Sequence, residues 1–182
     1  IIGAGTMGNG IAQACAISGL QVVMVDINDA ATQKGLATIT SSLDRLIKKE
    51  KMTEAEKSAA LARIKISTNY QDFTSTQMVI EAATENYELK LKILKQLDGL
   101  LAPSVIIASN TSSISITQLA AATQRADRFI GMHCSKICFQ DKSGNCLRVH
   151  AVCKYPKDMF MLQPWMEHSN RLDQVMSRQP HL

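Results

Sequence analysis

Gly3-Ala4-Gly5-Thr6-Met7-Gly8 is the stretch that decides the fold, and Asp26 is the residue that supports the reading. The six residues match G-x-G-x-x-G. In that pattern the first glycine makes a tight turn, the second lets a pyrophosphate approach the backbone, and the third lets helix and strand pack closely. Alone the pattern is weak, so its surroundings matter. Ile1-Ile2 reads as the end of a buried strand, Met7 to Ser18 as a helix, and Val22 to Val25 as a second apolar strand ending at Asp26. The helix N-terminus then offers free N–H groups and a partial positive charge to phosphates. Asp26 stands about 20 residues on, where a carboxylate binds the 2′- and 3′-hydroxyls of a ribose. That carboxylate repels a 2′-phosphate, and no arginine follows in Val25-Asp26-Ile27-Asn28, so NAD is expected rather than NADP. The cofactor-binding candidates here are Gly3, Gly5, Thr6, Met7, Gly8 and Asp26; a tight turn without a ligand is the alternative.

Beyond Asp26 the alternation continues. Asp29 can cap a long helix running to about Lys51, and Thr53 with Glu56 has the spacing of a capping box that starts a helix toward Ile64. The two helices make a hairpin. Ile64 to Thr68 and Met78 to Glu81 read as strands, Tyr87 to Leu101 as an amphipathic helix, and Val105 to Ala108 as a buried strand. Ser115 or Ile116 to Ala122 reads as helical and Phe129 to Met132 as a last strand. Strands alternating with helices imply a parallel, doubly wound α/β sheet of Rossmann type, here with an inserted helical hairpin.

Three further segments narrow the reading. Glu81-Ala82-Ala83-Thr84-Glu85-Asn86 with Lys90, then Ala108-Ser109-Asn110-Thr111-Ser112-Ser113, then Phe129-Ile130-Gly131-Met132-His133, resemble the 3-hydroxyacyl-CoA dehydrogenases in residues, order and spacing. The resemblance covers residues 1–133 and is most like the 3-hydroxybutyryl-CoA type. It implies that Glu85 and Lys90 contact the cofactor, that Ser112 contacts both substrate and nicotinamide, and that His133 is the catalytic base. It also implies that Ser42 and Lys49, on the hairpin, touch the coenzyme A part of an acyl-CoA substrate, and that the family homodimer forms through a second, helical domain. An imidazole with a pKa of about 6.5 suits removal of the 3-hydroxyl proton as hydride leaves the same carbon. Plain readings stand beside these: Ser112 or Ser113 as a helix cap, Glu85 and Lys90 as a solvated pair, and the lysines as a basic helix face.

After His133 the resemblance stops. Where the family continues Phe-Phe-Asn-Pro and then reaches a glutamate that orients the histidine, this chain reads Cys134-Ser135-Lys136-Ile137-Cys138, with Lys136 in place of the asparagine and Asn145 in place of the glutamate. Composition shifts at the same point: Cys15 is the only cysteine before His133, while four follow, and all four histidines lie from 133 onward. Residues 1–133 are therefore expected to form the NAD-binding domain and 134–182 a segment unrelated to the family, frame-shifted or poorly ordered. The start and the helical C-terminal domain are expected to lie outside this sequence, so the chain is expected to be an incomplete version, inactive as a dehydrogenase. A module that binds NAD without catalysis is the alternative. The tail's cysteines and histidines lack a C-x-x-C knuckle, so no metal site is expected.

Composition agrees with a globular chain: 46% apolar, 20% charged, net charge +4 with basic and acidic residues interleaved, which argues against an extended nucleic-acid surface. No run of about 18 apolar residues suggests a membrane span. The compartment depends on the source, cytoplasmic for a bacterial chain and mitochondrial matrix or peroxisome for a eukaryotic one.

Overall fold

The computed structural model describes residues 1–135 and 148–150. Its elements run α1 (Thr6–Ile17), β1 (Val22–Val25), α2 (Asp29–Lys48), α3 (Glu54–Ala62), β2 (Ile64–Ser67), β3 (Met78–Glu81), α4 (Tyr87–Leu100), β4 (Ile106–Ser109), α5 (Ile116–Ala121), β5 (Phe129–Gly131), β6 (His133–Ser135) and β7 (Arg148–His150). Short 3-10 turns at Tyr70–Phe73 and Ala126–Arg128 were not expected from the sequence.

The sheet is parallel, and Ile2 is its hinge. Ile2 bridges Val25 of β1 on one side and Glu81 of β3 on the other, joining the β1–β2 pair to the β3–β4–β5 set. The spatial order is therefore β2, β1, the Ile2 strand, β3, β4, β5, with the strand order reversing at Ile2. In such sheets ligands bind beyond the carboxyl ends of the strands at that reversal. One core packs α1, α2 and α3 on the sheet through Ile11, Ala12, Met24, Ile39 and Leu43. A second packs α4 and α5 through Leu94, Leu97, Ile107, Leu119 and Phe129. Both faces of the sheet are thus covered, which is why its strands read as continuous apolar runs.

The helix ends show which local rules acted. Thr53 and Glu56 form the expected capping box, with Thr53 Oγ1 accepting from the Glu56 N–H at 3.2 Å and Glu56 Oε2 accepting from the Thr53 N–H at 2.9 Å. The cap of α2, however, is Asn28 and not Asp29: Asn28 Oδ1 accepts from the Ala31 N–H at 2.9 Å, and Asp29 enters the first turn, where its charge complements the helix dipole. The same helix stops at Lys48, before the expected Lys51. Glu50 takes a left-handed φ of 55° and donates its N–H to Ile47, while Lys51 donates to Leu46, the paired bonds of a Schellman turn with glutamate where glycine is usual. Likewise α5 is capped by Ser115, so Ser112 and Ser113 are not needed as caps.

Among the described residues beyond β5 there is an unforeseen pairing: β6 and β7 run antiparallel, His133 opposite His150 and Ser135 opposite Arg148. Strands of three residues have no readable side-chain period, so only backbone bonding reveals them. The rest of the expectation for 134–182 lies outside the described residues.

Candidate functional site

The three glycines of the loop are required for different reasons. Gly3 has a φ of +94°, and a Cβ there would lie 2.7 Å from the Ala82 carbonyl oxygen. A Cβ on Gly8 would stand 1.7 Å from the Gly3 carbonyl oxygen. At Gly5 nothing lies within 4 Å. The protein's own packing demands Gly3 and Gly8, whereas the open space at Gly5 leaves room for an incoming group. Gly5 is also the N-cap of α1 and supplies no side-chain cap, so the leading N–H groups of Thr6, Met7 and Gly8 face that opening. Thr6 is exposed there, while Met7 is half-buried against the core under α1.

Asp26 closes this cradle. Its Oδ2 accepts the Ala4 N–H and its Oδ1 accepts the Ile27 N–H, each at 2.6 Å. The carboxylate therefore ties the glycine loop to the end of β1, and each oxygen keeps a second lone pair for a hydroxyl donor. The open Gly5, the uncapped helix start and this carboxylate fit a dinucleotide's pyrophosphate and ribose.

Across the reversal point the site is built from side chains. Glu85 Oε1 accepts from four donors: the Thr111 hydroxyl at 2.5 Å, the Ser112 N–H at 2.9 Å, the Ser113 N–H at 3.2 Å and the Ser113 hydroxyl at 3.0 Å. Burial pushes the Glu85 carboxyl up, but these donors outweigh it and hold it at about 2. The loop after β4 is thereby clamped by its backbone, and Ser112 itself stays exposed. Lys90 lies deeper. Its Nζ is bonded to Glu81 Oε1 at 2.7 Å, to Glu81 Oε2 at 2.9 Å and to the Ala83 carbonyl at 3.2 Å, and it lies 3.4 Å from Glu85 Oε2. At 1% and 0% exposed, Lys90 and Glu81 are an interior pair, not the solvated one that Lys90 and Glu85 alone suggested.

Glu81, Ser109 and Thr111 were not singled out as site residues, although Glu81 and Ser109 carry a visible signal: each is a polar residue ending an otherwise apolar strand at the carboxyl edge. His133 begins β6 immediately after Met132, whose N–H donates to the Ser109 carbonyl at 2.9 Å. Its backbone is thus at the same edge as the Ser112 loop. Ser42, on α2, and Lys49, the residue that ends it, lie apart from this cluster. Gly35, Ser42 and Lys49 recur every seven residues, so they share one stripe that starts against Ala4 of the glycine loop and runs about 20 Å to the helix end. Ser42 is half-buried and Lys49 exposed. Among the described residues no cluster of three metal-ligating side chains occurs, and no helix is long and apolar enough to cross a membrane.

The fold and the cradle define a dinucleotide-binding domain of Rossmann type. The sequence profile of the NAD-binding domain of 3-hydroxyacyl-CoA dehydrogenases matches residues 1–136, and the chain belongs to that family. NAD is accordingly its cofactor. Over 133 residues, 73% of this chain, it is 47% identical to the 3-hydroxybutyryl-CoA dehydrogenase of Bradyrhizobium diazoefficiens, of which it covers 45%. It is 42% identical over the same length to the fatty acid oxidation complex subunit alpha of a Psychrobacter species, covering 18% of it. The crystal structure of (S)-3-hydroxybutyryl-CoA dehydrogenase from Ralstonia eutropha superposes with a TM-score of 0.73 at 75% identity, over 74% of this chain and 47% of that one. The chain thus spans less than half the length of the 3-hydroxybutyryl-CoA dehydrogenases it matches.

Proposed function

We propose that this chain is the cofactor-binding part of an NAD-dependent dehydrogenase that interconverts (3S)-3-hydroxyacyl-CoA and 3-oxoacyl-CoA, with 3-hydroxybutyryl-CoA as a substrate, in fatty acid or short-chain acyl-CoA metabolism. The observation that carries the reading is the Ser112 loop: Glu85 takes its backbone donors and leaves the Ser112 side chain exposed at the sheet edge that also holds the glycine cradle. When bound, NAD supplies the hydride acceptor at its nicotinamide. His133 takes the proton of the 3-hydroxyl as the hydride leaves the same carbon, and Ser112 donates a hydrogen bond to that oxygen. Gly3, Gly5, Thr6, Met7 and Gly8 hold the pyrophosphate, Asp26 the ribose, and Glu85 and Lys90 set the nicotinamide side. Ser42 and Lys49 meet the coenzyme A portion along the α2 stripe, where a flexible ammonium suits phosphate. A homodimer formed through a further domain belongs to the same reading.

A second reading has its own support: the match to relatives stops at His133 to Lys136, just where a base needs its orienting partners. With Asn145 where the family has glutamate, the 182-residue chain binds NAD but turns over little, because a base misplaced by about 1 Å costs on the order of 100-fold. The test is oxidation of NADH by acetoacetyl-CoA, followed by absorbance, with this chain and with a version carrying a family-like sequence after His133. Turnover only in the second, lost again in its His133→Ala variant, supports both readings. Full turnover by the present chain sinks the second, and none by either version sinks the first. We further propose that residues 134–182 reflect a shifted reading frame; a family-like peptide in another frame of the coding DNA is the expected finding, and its absence from both overturns it.

A further inference from the structure

We propose that Glu81 is a positioning residue of this site, holding the Lys90 ammonium beneath the sheet edge so that Glu85 stays on the Thr111–Ser113 loop. Glu81 ends β3 with no exposed surface, and all four of its contacts are short: Lys90 Nζ on both oxygens, the Ala83 N–H on Oε1 at 2.7 Å and the Ser109 hydroxyl on Oε2 at 2.6 Å. A buried ion pair is a poor way to build a core, since apolar residues of the same volume serve the fold equally well or better. What an apolar pair would not do is divide one ammonium between two carboxylates. Lys90 sits 2.7 and 2.9 Å from Glu81 but 3.4 Å from Glu85 Oε2, so Glu81 carries most of the pairing and Glu85 Oε1 remains with its four loop donors. Glu81 also fixes both loops that border the cradle, Ala83 through its N–H and the start of the loop after β4 through Ser109 and the Asn110 N–H, which donates to the Glu81 carbonyl at 2.8 Å. Lys90, too deep to present its charge at the surface, acts on the cofactor side through Glu85.

Glu81→Gln breaks this arrangement at one point. An amide nitrogen cannot accept from Lys90, so the ammonium turns to the nearer free carboxylate, Glu85, and draws it off Ser112 and Ser113. Amide hydrogen exchange, thermal melting and NAD titration by calorimetry, on the whole 182-residue chain, read the consequence. The expected result is exchange at the Ser112 and Ser113 amides faster by about tenfold or more, with NAD binding weakened by a similar factor. The Gly3 amide, bonded to Val25 on the other side of the site, keeps its wild-type rate once the change in global stability is subtracted. A merely structural role would speed all three amides together. The paired variant Glu81→Gln/Lys90→Met removes the ammonium together with its partner, and is expected to melt near the wild type with its Ser112 and Ser113 amides back near the wild-type rate, because nothing is left to draw Glu85 away. Wild-type exchange at Ser112 and Ser113 in a folded Glu81→Gln variant, or exchange in the paired variant as fast as in Glu81→Gln, overturns the proposal. Should neither fold, Glu81→Asp, which keeps the charge but draws the carboxylate back from Lys90, decides it: exchange about threefold faster at the Ser112 and Ser113 amides supports the proposal, and no change refutes it. The NAD arm rests on the cofactor assignment, so a wild-type chain that binds no NAD strikes that assignment, while the exchange contrast still judges Glu81.

Discussion

Around Gly3 and Gly8 the backbone takes its shape from side chains that are absent, whereas around Glu81, Glu85 and Lys90 it takes its shape from side chains that are present and bonded. The two regions flank the same strand, that of Ile2, and face the same opening. The first is a matter of excluded volume: the space for a methyl group at Gly8 is already taken by the Gly3 carbonyl. The second is a matter of electrostatics, with one ammonium shared by two carboxylates and one carboxylate oxygen collecting four donors. Packing of the first kind tolerates no change of size. Bonding of the second kind responds to protons and to charge.

This contrast orders the experiments. Gly8→Ala should have the largest effect: the gain of up to about 1 kcal/mol in helix propensity is outweighed by an overlap at 1.7 Å that backbone cannot relieve, for a net loss of about 3 kcal/mol or more and no measurable NAD binding. Melting by circular dichroism checks it, and a wild-type melting curve would mean that the loop is not packed as described.

Asp26→Ala comes next, because it removes the staple to Ala4 and Ile27 together with the ribose acceptor. NAD affinity should fall by about 100-fold and the preference over NADP should shrink, since the repulsion of a 2′-phosphate goes as well. Calorimetry with both cofactors decides, and unchanged NAD affinity would remove Asp26 from the site.

Gly5→Ala sharpens the contrast within the first region. Its φ of −67° suits alanine and no atom lies within 4 Å, so stability should change by about 1 kcal/mol or less, while NAD affinity drops about tenfold because the methyl group stands in the approach to the helix end. Equal losses of stability at Gly5 and Gly8 would erase the distinction between them.

Acid gives the smallest effect and bears only on the second region. The Glu85 carboxyl is held at about 2, below its ordinary 4.5, so its contribution is complete above about pH 4.5 and is lost as the pH falls toward 2. At 37% exposed, Glu85 is screened by water, and the contribution is about 1 kcal/mol or less. Exchange of the Ser112 and Ser113 amides should therefore quicken across that window relative to Gly3, after correction for any global loss. A uniform change at all three amides would tell against Glu85 as the clamp on the Thr111–Ser113 loop.

Much of the first region was legible before any coordinates. G-x-G-x-x-G, the apolar runs on either side of it and the carboxylate closing the second strand are local patterns, and each follows from what a few consecutive residues permit. The alternation of strand and helix likewise sufficed for a doubly wound parallel sheet, and Thr53 with Glu56 for a helix start. Where two neighbours competed, as Asn28 and Asp29 did for the cap of α2, the choice turned on which side chain reaches back to the third helical N–H, and spacing alone did not decide it.

The second region is different in kind. Glu85 could be named from its resemblance to family members, but its four donors lie 26 to 28 residues away along the chain. Ser109 meets Glu81 across 28 residues, from the next strand. Lys90 could be named too, but nothing in its sequence neighbourhood distinguishes an exposed lysine from one with 1% of its surface exposed. Sequence by itself determined the fold and the outline of the cradle, because the glycine pattern and the hydrophobic period are set by residues close along the chain, while the Ala82 carbonyl that crowds Gly3 and the Asp26 carboxylate that holds Ala4 come from farther along it. Tertiary structure alone decided which carboxylate holds the loop and which holds the ammonium, because a charge is matched by whatever the folded chain brings within about 3 Å of it.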